Sequence, residues 1–190
     1  MARTPIPADP EEVRGVLENN RLPVLSYELE AIRLLAKETN GRQLELGKEY
    51  CSVASTSDAE LGDGGYLVPA ATSLQDDSIA LEVSAKGYKQ YLEYGVEFLP
   101  WNSEETVGLG SICQLKFSDG GLDTGLLKGT ELELPYPDEW SVPNGCKIIT
   151  VDSALGRALL GVRKNASVKY CAAGQKFVVE VLDIRPLCAA

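Results

Sequence analysis

The side chains that this chain offers for chemistry are mainly carboxylates, because its 190 residues include no histidine. Without imidazole there is no Ser-His or Cys-His nucleophile pair, no general base that titrates near neutral pH, and no zinc site of the histidine-containing kinds. A divalent cation bound by carboxylates remains compatible with the composition. Acids gather among glycines in the segment from Asp58 to Tyr66, at Asp58, Glu60 and Asp63.

This segment also has a plain structural interpretation. An exposed Asp-Gly-Gly sequence is typical of a tight turn whose acids are solvated. A phosphate-binding loop is excluded, because Leu61-Gly-Asp-Gly-Gly65 lacks the Lys-Ser/Thr pair that such loops require. The residues alone leave the choice between turn and cation ligand open.

The net charge of −10 argues against independent nucleic-acid binding, because phosphate neutralisation needs clustered Lys and Arg. An acidic chain can still approach an enzyme of nucleic acids through the basic entrances of that enzyme. No apolar run approaches the ~20 residues of a membrane span, and the first residues lack the pattern of a signal peptide. The five cysteines are odd in number and contain no C-x-x-C pair. We therefore expect a cytoplasmic protein with reduced thiols and no membrane association.

The apolar periodicity predicts a helical N-terminal half. Residues 1–24 form a proline-rich arm around one short helix, Pro10 to Glu18, which Asp9 or Pro10 starts. We expect this arm to cap the next domain and to carry no site of its own.

Residues 25–105 should form a domain of two helical stretches. The first starts at Leu25 and is expected to break near Asn40, since Gly41 and Gly47 each cost on the order of 1 kcal/mol inside an exposed helix. It should resume over 44–53, and the second stretch should run over 74–98. The candidates for its buried stripe are Ile79, Val83, Tyr88, Leu92 and Phe98.

Residues 106–190 show strand patterns around one short helix. Ser153 is a good helix N-cap, and Gly161 supplies a left-handed stop, so Ser153-Ala-Leu-Gly-Arg-Ala-Leu-Leu-Gly161 predicts a capped amphipathic helix. Alternating residues predict strands before and after this helix. The predicted strands are 110–117, 147–151, 166–170 and 176–184, with turns at 118–121 and 173–174.

The nonamer 153–161 resembles the SPLGRALLG-like signature in the C-terminal domain of bacterial Gre transcript-cleavage factors. The flanking strands follow in the order of that family, so the resemblance covers about residues 108–185. It implies an α+β protein, in which a helical N-terminal region, a coiled-coil hairpin in the family, precedes an FKBP-like C-terminal domain with an antiparallel sheet. It also implies a partner, RNA polymerase, whose secondary channel such factors enter. The implied docking patch is Asp152, Ser153, Ala154 and Leu155, with Ala154 in place of the usual proline of the family.

The acidic segment resembles the tip of the Gre hairpin, whose motif is Gly-Asp-x-x-Glu-Asn. Gly62 and Asp63 match that motif, whereas Tyr66 and Leu67 replace its Glu and Asn. The resemblance implies that Asp63 assists a magnesium ion that the polymerase holds. Glu60 or Asp58 would replace the lost second acid only if the tip turned differently. The factor then has no cofactor and no catalytic residue of its own, so we do not expect an enzyme.

Two alternatives to a cleavage factor follow from the same residues. The lost acid at position 66 favours a Gre paralogue that occupies the channel without cleaving and modulates or inhibits transcription. An FKBP-like fold also hosts prolyl isomerases and chaperone-like binding modules, since fold does not fix function. An apolar pocket lined by aromatic side chains would support that second alternative.

Residues 131–145 form an insertion relative to the family, with three prolines that favour an extended loop. Its aromatic residues are Tyr136 and Trp140. They either cover a small core or offer a recognition surface.

Overall fold

The structure is a computed structural model. It describes residues 5–57, 67–132, 134, 136 and 142–187. For residues 50–57 and 67–72 it describes the backbone only. The fold is α+β, and it divides into two compact units, one made of Met1–Ala31 with Tyr94–Ala190 and the other of Ile32–Glu93. These units are defined by packing, and the domain limits inferred from the sequence stay a prediction.

The N-terminal arm contains a helix, as predicted, and two short strands. Helix α1 is Pro10–Glu18, and Oδ1 of its N-cap Asp9 accepts a hydrogen bond of 2.8 Å from the Glu11 N–H. Strands β1 (Ile6–Pro7) and β2 (Leu22–Leu25) flank the helix and pair in parallel with β3 (Gly95–Leu99) in the order β1-β3-β2. The sequence analysis did not predict this sheet.

Helix α2, Ser26–Ser57, corrects the predicted break near Asn40. It continues through Gly41 and Gly47, where a Cβ added to the glycine would meet no atom within 4 Å. The cost of each glycine is of the order of 1 kcal/mol. The remaining residues of a 32-residue helix can offset it, because propagation adds a backbone hydrogen bond for each further residue.

Helix α3, Leu67–Tyr94, ends earlier than predicted. The segment from Gly95 to Leu99 is strand β3, and Phe98 is buried there instead of on a helix. The predicted stripe is wrong for Ile79, Val83 and Leu92, whose side chains are 53%, 66% and 41% exposed. Their spacing suits a helix, but a helix in a two-helix unit has only one packed face.

The larger unit contains a five-stranded sheet and one further helix. The strands are β4 (Ser111–Phe117), β5 (Leu122–Lys128), β6 (Lys147–Thr150), β7 (Ser167–Ala172) and β8 (Gln175–Pro186), and helix α4 is Ala154–Leu159. The strand order is β6-β5-β4-β8-β7. Neighbouring strands are antiparallel except for β5 and β6, which are parallel because the chain between them crosses over.

One hydrophobic core joins the arm to this sheet. Val13 of α1, Phe98 of β3, Leu115 of β4, Leu159 of α4 and Val181 of β8 all belong to it and are fully buried. The arm therefore packs into one core with β3 and the five-stranded sheet, and its predicted role as a cap on a domain of residues 25–105 stays a prediction. No helix in the described part of the chain is long and apolar enough to cross a membrane.

The predicted strands and the capped helix of the C-terminal half are confirmed, with ends that shift by a few residues. Strand β5 was not predicted. In the insertion, Tyr136 packs against the core, which supports the core-covering interpretation for that residue. Trp140 lies outside the described residues.

Candidate functional site

The acids proposed to assist magnesium, Asp63 and Glu60, lie outside the described residues, as do Asp58 and Tyr66. Within the described residues, no group of three or more Cys, Asp or Glu side chains is placed to hold a metal ion. The metal-assisting role of Asp63 and Glu60 therefore stays a prediction from the sequence.

The predicted docking patch, Asp152 to Leu155, comprises the end of the loop that leads from β6 into α4 and the first two residues of that helix. The Ser153 hydroxyl donates a 2.7 Å hydrogen bond to the Thr150 carbonyl and accepts one of 3.0 Å from the Gly156 N–H. This is the N-cap arrangement, and it satisfies one of the helix N–H groups that have no partner within the helix. The cap thus ties the loop to the end of β6.

Gly156 allows α4 to pack closely against the end of β6. A side-chain carbon at this position would collide with the Thr150 carbonyl, so the first turn of α4 lies directly against the backbone of β6. Only glycine permits such an approach. The signature therefore contains a residue that fixes the loop sterically as well as one that caps it.

The loop presents a mixed surface. Asp152 and Ala154 are exposed, and Leu155 is half-buried. Arg157, also exposed, donates a 2.9 Å hydrogen bond from Nε to the Asp152 carbonyl, which links the loop to the helix. An apolar side chain beside a carboxylate and a guanidinium is suited to contact with a protein. The sequence analysis did not single out Arg157.

A shallow groove of about 600 Å³ runs beside the patch. Its wall includes the edge strand β6 and both Ser153 and Leu155, with Glu131 and Lys147 as its charged residues. The patch and the groove therefore form one continuous surface at the edge of the sheet.

The sequence analysis also missed a buried pair of opposite charges. Lys128 Nζ lies 3.3 Å from Glu28 Oε1, and both side chains are fully buried. Glu28 Oε2 accepts a 2.9 Å hydrogen bond from the Leu25 N–H, and Lys128 Nζ donates one of 3.0 Å to the Leu132 carbonyl. Burial raises the pKa of Glu28 to about 7, against the opposing effect of Lys128. Because the pair is enclosed, we assign it to the interior of the fold and not to a site.

A second open pocket, of about 530 Å³, tests the FKBP-like alternative. It is lined by Leu134, Tyr136, Val142 and Cys146, among others, and Tyr136 is the one aromatic residue among its described lining residues. The aromatic lining that would support a prolyl-isomerase site is therefore not present in the described part of this pocket.

Three cysteines have described side chains, and all three are free thiols. Cys113 is buried, and this burial raises the pKa of its thiol to about 12. Cys146 is half-buried, and burial raises its pKa as well. Neither thiol is activated for nucleophilic chemistry, since a reactive cysteine needs a lowered pKa.

No protein-family model matches the chain, and no curated protein matches it significantly. Among solved structures, Gfh1 of Thermus thermophilus matches with 20% identity and a TM-score of 0.38 over 87% of this chain and 99% of that one. Gfh1 of Thermus aquaticus matches with 20% identity and a TM-score of 0.37 over 87% and 98%. The transcription elongation factor GreA/GreB of Nitrosomonas europaea matches with 14% identity and a TM-score of 0.32 over 87% and 99%. At these TM-scores the matches carry no functional argument, and the proposed function rests on this chain's own residues.

Proposed function

We propose that this chain is a Gre-like transcription factor that binds RNA polymerase through the patch Asp152 to Leu155. The observation that carries the proposal is the signature nonamer itself, in which Ser153 caps α4 and Gly156 lies against β6. These two contacts fix the start of α4, where the side chains of Asp152 and Ala154 are exposed. A partner that recognises this loop would meet it in one preset conformation, which lowers the entropic cost of binding.

The polymerase would supply the catalytic centre, so the factor would modulate an enzyme without being one. The C-terminal domain would dock at the rim of the secondary channel, and the helical hairpin of 25–105 would enter it. The factor would share the cytoplasm with its partner. The acids Asp63 and Glu60 would act at most as auxiliary ligands of a magnesium ion that the polymerase holds.

The docking proposal is tested with Leu155→Asp and a matched control, Leu122→Asp. Both leucines are solvent-accessible, but Leu122 is 60% exposed at the start of β5 and is not among the residues of the patch or groove. A charge at Leu155 should weaken binding to core RNA polymerase by at least about tenfold, since a desolvated carboxylate at a contact costs more than about 1.4 kcal/mol. The control should bind as the unmodified protein does.

Affinity would be measured by biolayer interferometry on immobilised core polymerase, with circular dichroism to confirm that both variants are folded. Equal binding by Leu155→Asp and Leu122→Asp would place the contact elsewhere. Failure of the unmodified protein to co-purify with polymerase, even at low salt, would overturn the proposed function.

A non-cleaving factor is the second candidate function, and the departure at Tyr66 favours it. The family's tip has an acid at that position, and this chain has a phenol. Binding to polymerase is common to both candidates, so the docking experiment does not separate them. An assay of transcript cleavage in stalled polymerase complexes separates the two candidates.

A further inference from the structure

The C-terminal end of α4 is held by a side chain from the N-terminal arm. The Arg14 guanidinium donates a hydrogen bond to the carbonyl of Leu160, the C-cap residue of α4. The last carbonyls of a helix have no partner within the helix. A cation that donates to one of them satisfies the carbonyl and interacts favourably with the helix dipole.

Side chains of α1 also lie close to the backbone of Gly161. Its φ of +78° is left-handed, and a side-chain carbon there would lie 3.0 Å from Arg14 Nη2 and 3.4 Å from Pro10 Cβ. The Gly161 N–H donates a 2.7 Å hydrogen bond to the Val107 carbonyl. The turn after α4 therefore lies between α1 on one side and the segment around Val107 on the other.

Helix α1 is itself anchored, so Arg14 extends from a fixed element. Val13, its neighbour in sequence, is fully buried in the core. The residue before the N-cap, Ala8, donates a 3.0 Å hydrogen bond to the Leu99 carbonyl at the end of β3. The arm thus connects the three-stranded sheet to the end of α4.

Helix α4 needs such supports because it has only six residues. A helix of this length is not stable by itself in water. Its N-terminal end is fixed to β6 by Ser153 and Gly156, and its C-terminal end is fixed to α1 by Arg14. The orientation of the loop at Asp152 to Leu155 depends on both ends.

We propose that the N-terminal arm acts as a brace for the docking patch, and that Arg14 is a positioning residue for polymerase binding. Arg14 acts through Leu160 and α4 and does not itself contact the partner. This inference rests on the proposed function, because it concerns the same patch. It gives the arm a role beyond covering the core.

The test compares Arg14→Met, Arg14→Lys and the control Arg21→Met for their affinity to core RNA polymerase. Arg21 follows α1, is exposed, and makes no side-chain hydrogen bond or ion pair with any described residue. Arg14→Met should weaken binding about tenfold, the size expected from one charge-assisted hydrogen bond. Arg14→Lys should restore part of the affinity because it keeps a charge and a donor. Arg21→Met should bind as the unmodified protein does.

Two further measurements separate positioning from other roles. Amide exchange at Leu160, Gly161 and Val162 in the free protein should accelerate in Arg14→Met and not in Arg21→Met. In a background of Leu155→Ala, Arg14→Met should cost less affinity than it does alone, because both changes act on one surface. Additive losses would show that Arg14 acts independently of the patch, and unchanged exchange would show that it does not hold α4. Either result overturns the inference.

The outcomes also distinguish this inference from the proposed function. If the unmodified protein binds polymerase and Arg14→Met binds equally well, the positioning role of Arg14 is wrong, and the proposed docking patch is not contradicted. If the unmodified protein does not bind polymerase at all, the proposed function fails, and the inference fails with it.

Discussion

Glu28 and Lys128 place two opposite charges in the interior of the larger unit, where a charge is costly unless it is paired. The raised pKa of Glu28, about 7 against an ordinary 4.5, means that folding favours the protonated carboxyl. A group of this kind contributes stability that is fully present below its ordinary pKa and is lost as the pH rises through the folded pKa. The relevant window is therefore pH 4.5 to about 7.

We predict that Glu28→Gln flattens the dependence of stability on pH. From about pH 5 to about pH 8 the unmodified protein should lose up to about 3 kcal/mol of unfolding free energy relative to this variant, because a neutral amide has no proton to lose. Urea denaturation across this range would measure the difference. Glu82→Gln is the control: Glu82 is exposed, and its hydrogen bond and ion pair with Lys86 lower its pKa, so it titrates below the window. Parallel profiles for all three proteins would contradict the assignment of the titrating group.

At the scale of elements, the glycines in the helices differ in whether a side chain would fit at their position. Gly41 in α2 has open space where a Cβ would stand, whereas Gly156 in α4 lies against the Thr150 carbonyl. The two positions therefore respond to the same substitution in opposite directions.

We predict that Gly41→Ala stabilises the protein by about 0.5–1 kcal/mol, because alanine restricts the unfolded chain and suits a helix. Gly156→Ala should destabilise it by more than this, since the backbone of β6 or α4 must move. Denaturation followed by far-ultraviolet circular dichroism would measure both changes. Stabilisation by the alanine at position 156 would mean that α4 does not pack against β6 as described.

The same elements show what the sequence could predict. Helices α1 and α4 and the β7–β8 hairpin were predicted because Asp9, Ser153 and the turn at Ala173-Gly174 are local signals that lie within a few residues of the elements they start or end. The docking patch stays a prediction, which the resemblance of one contiguous nonamer implies.

The three-stranded sheet could not be predicted locally. It pairs Ile6 with Phe98 and Leu22 with Gly95, so its partners lie more than seventy residues apart. Parallel pairing carries no hairpin signal, and strands as short as β1 show no alternation. The contact of Arg14 with Leu160 and the pairing of Glu28 with Lys128 were missed for the same reason, because each joins distant segments of the chain.

At the scale of the whole molecule, the net charge and the missing second acid both bear on whether binding to polymerase and stimulation of cleavage need the same residues. A chain with a charge of −10 can be attracted to a basic channel entrance without any acid at its tip. Binding and cleavage are therefore separable properties. A factor can keep the first property while it lacks the second.

We predict that the unmodified protein gives little or no stimulation of transcript cleavage in stalled polymerase complexes and competes with an authentic cleavage factor. Magnesium commonly needs more than one carboxylate for a firm site, and the segment that resembles the Gre tip motif retains Asp63 but has Tyr66 at the second acidic position. Tyr66→Glu should create cleavage activity, and Tyr66→Phe, which adds no acid, should not. The measurement is the length of the nascent RNA after addition of each protein at a fixed magnesium concentration. Efficient cleavage by the unmodified protein would show that Glu60 or Asp58 supplies the second ligand. Binding without cleavage by any variant would show that the segment does not act as a Gre tip, and only the resemblance of the C-terminal half would remain.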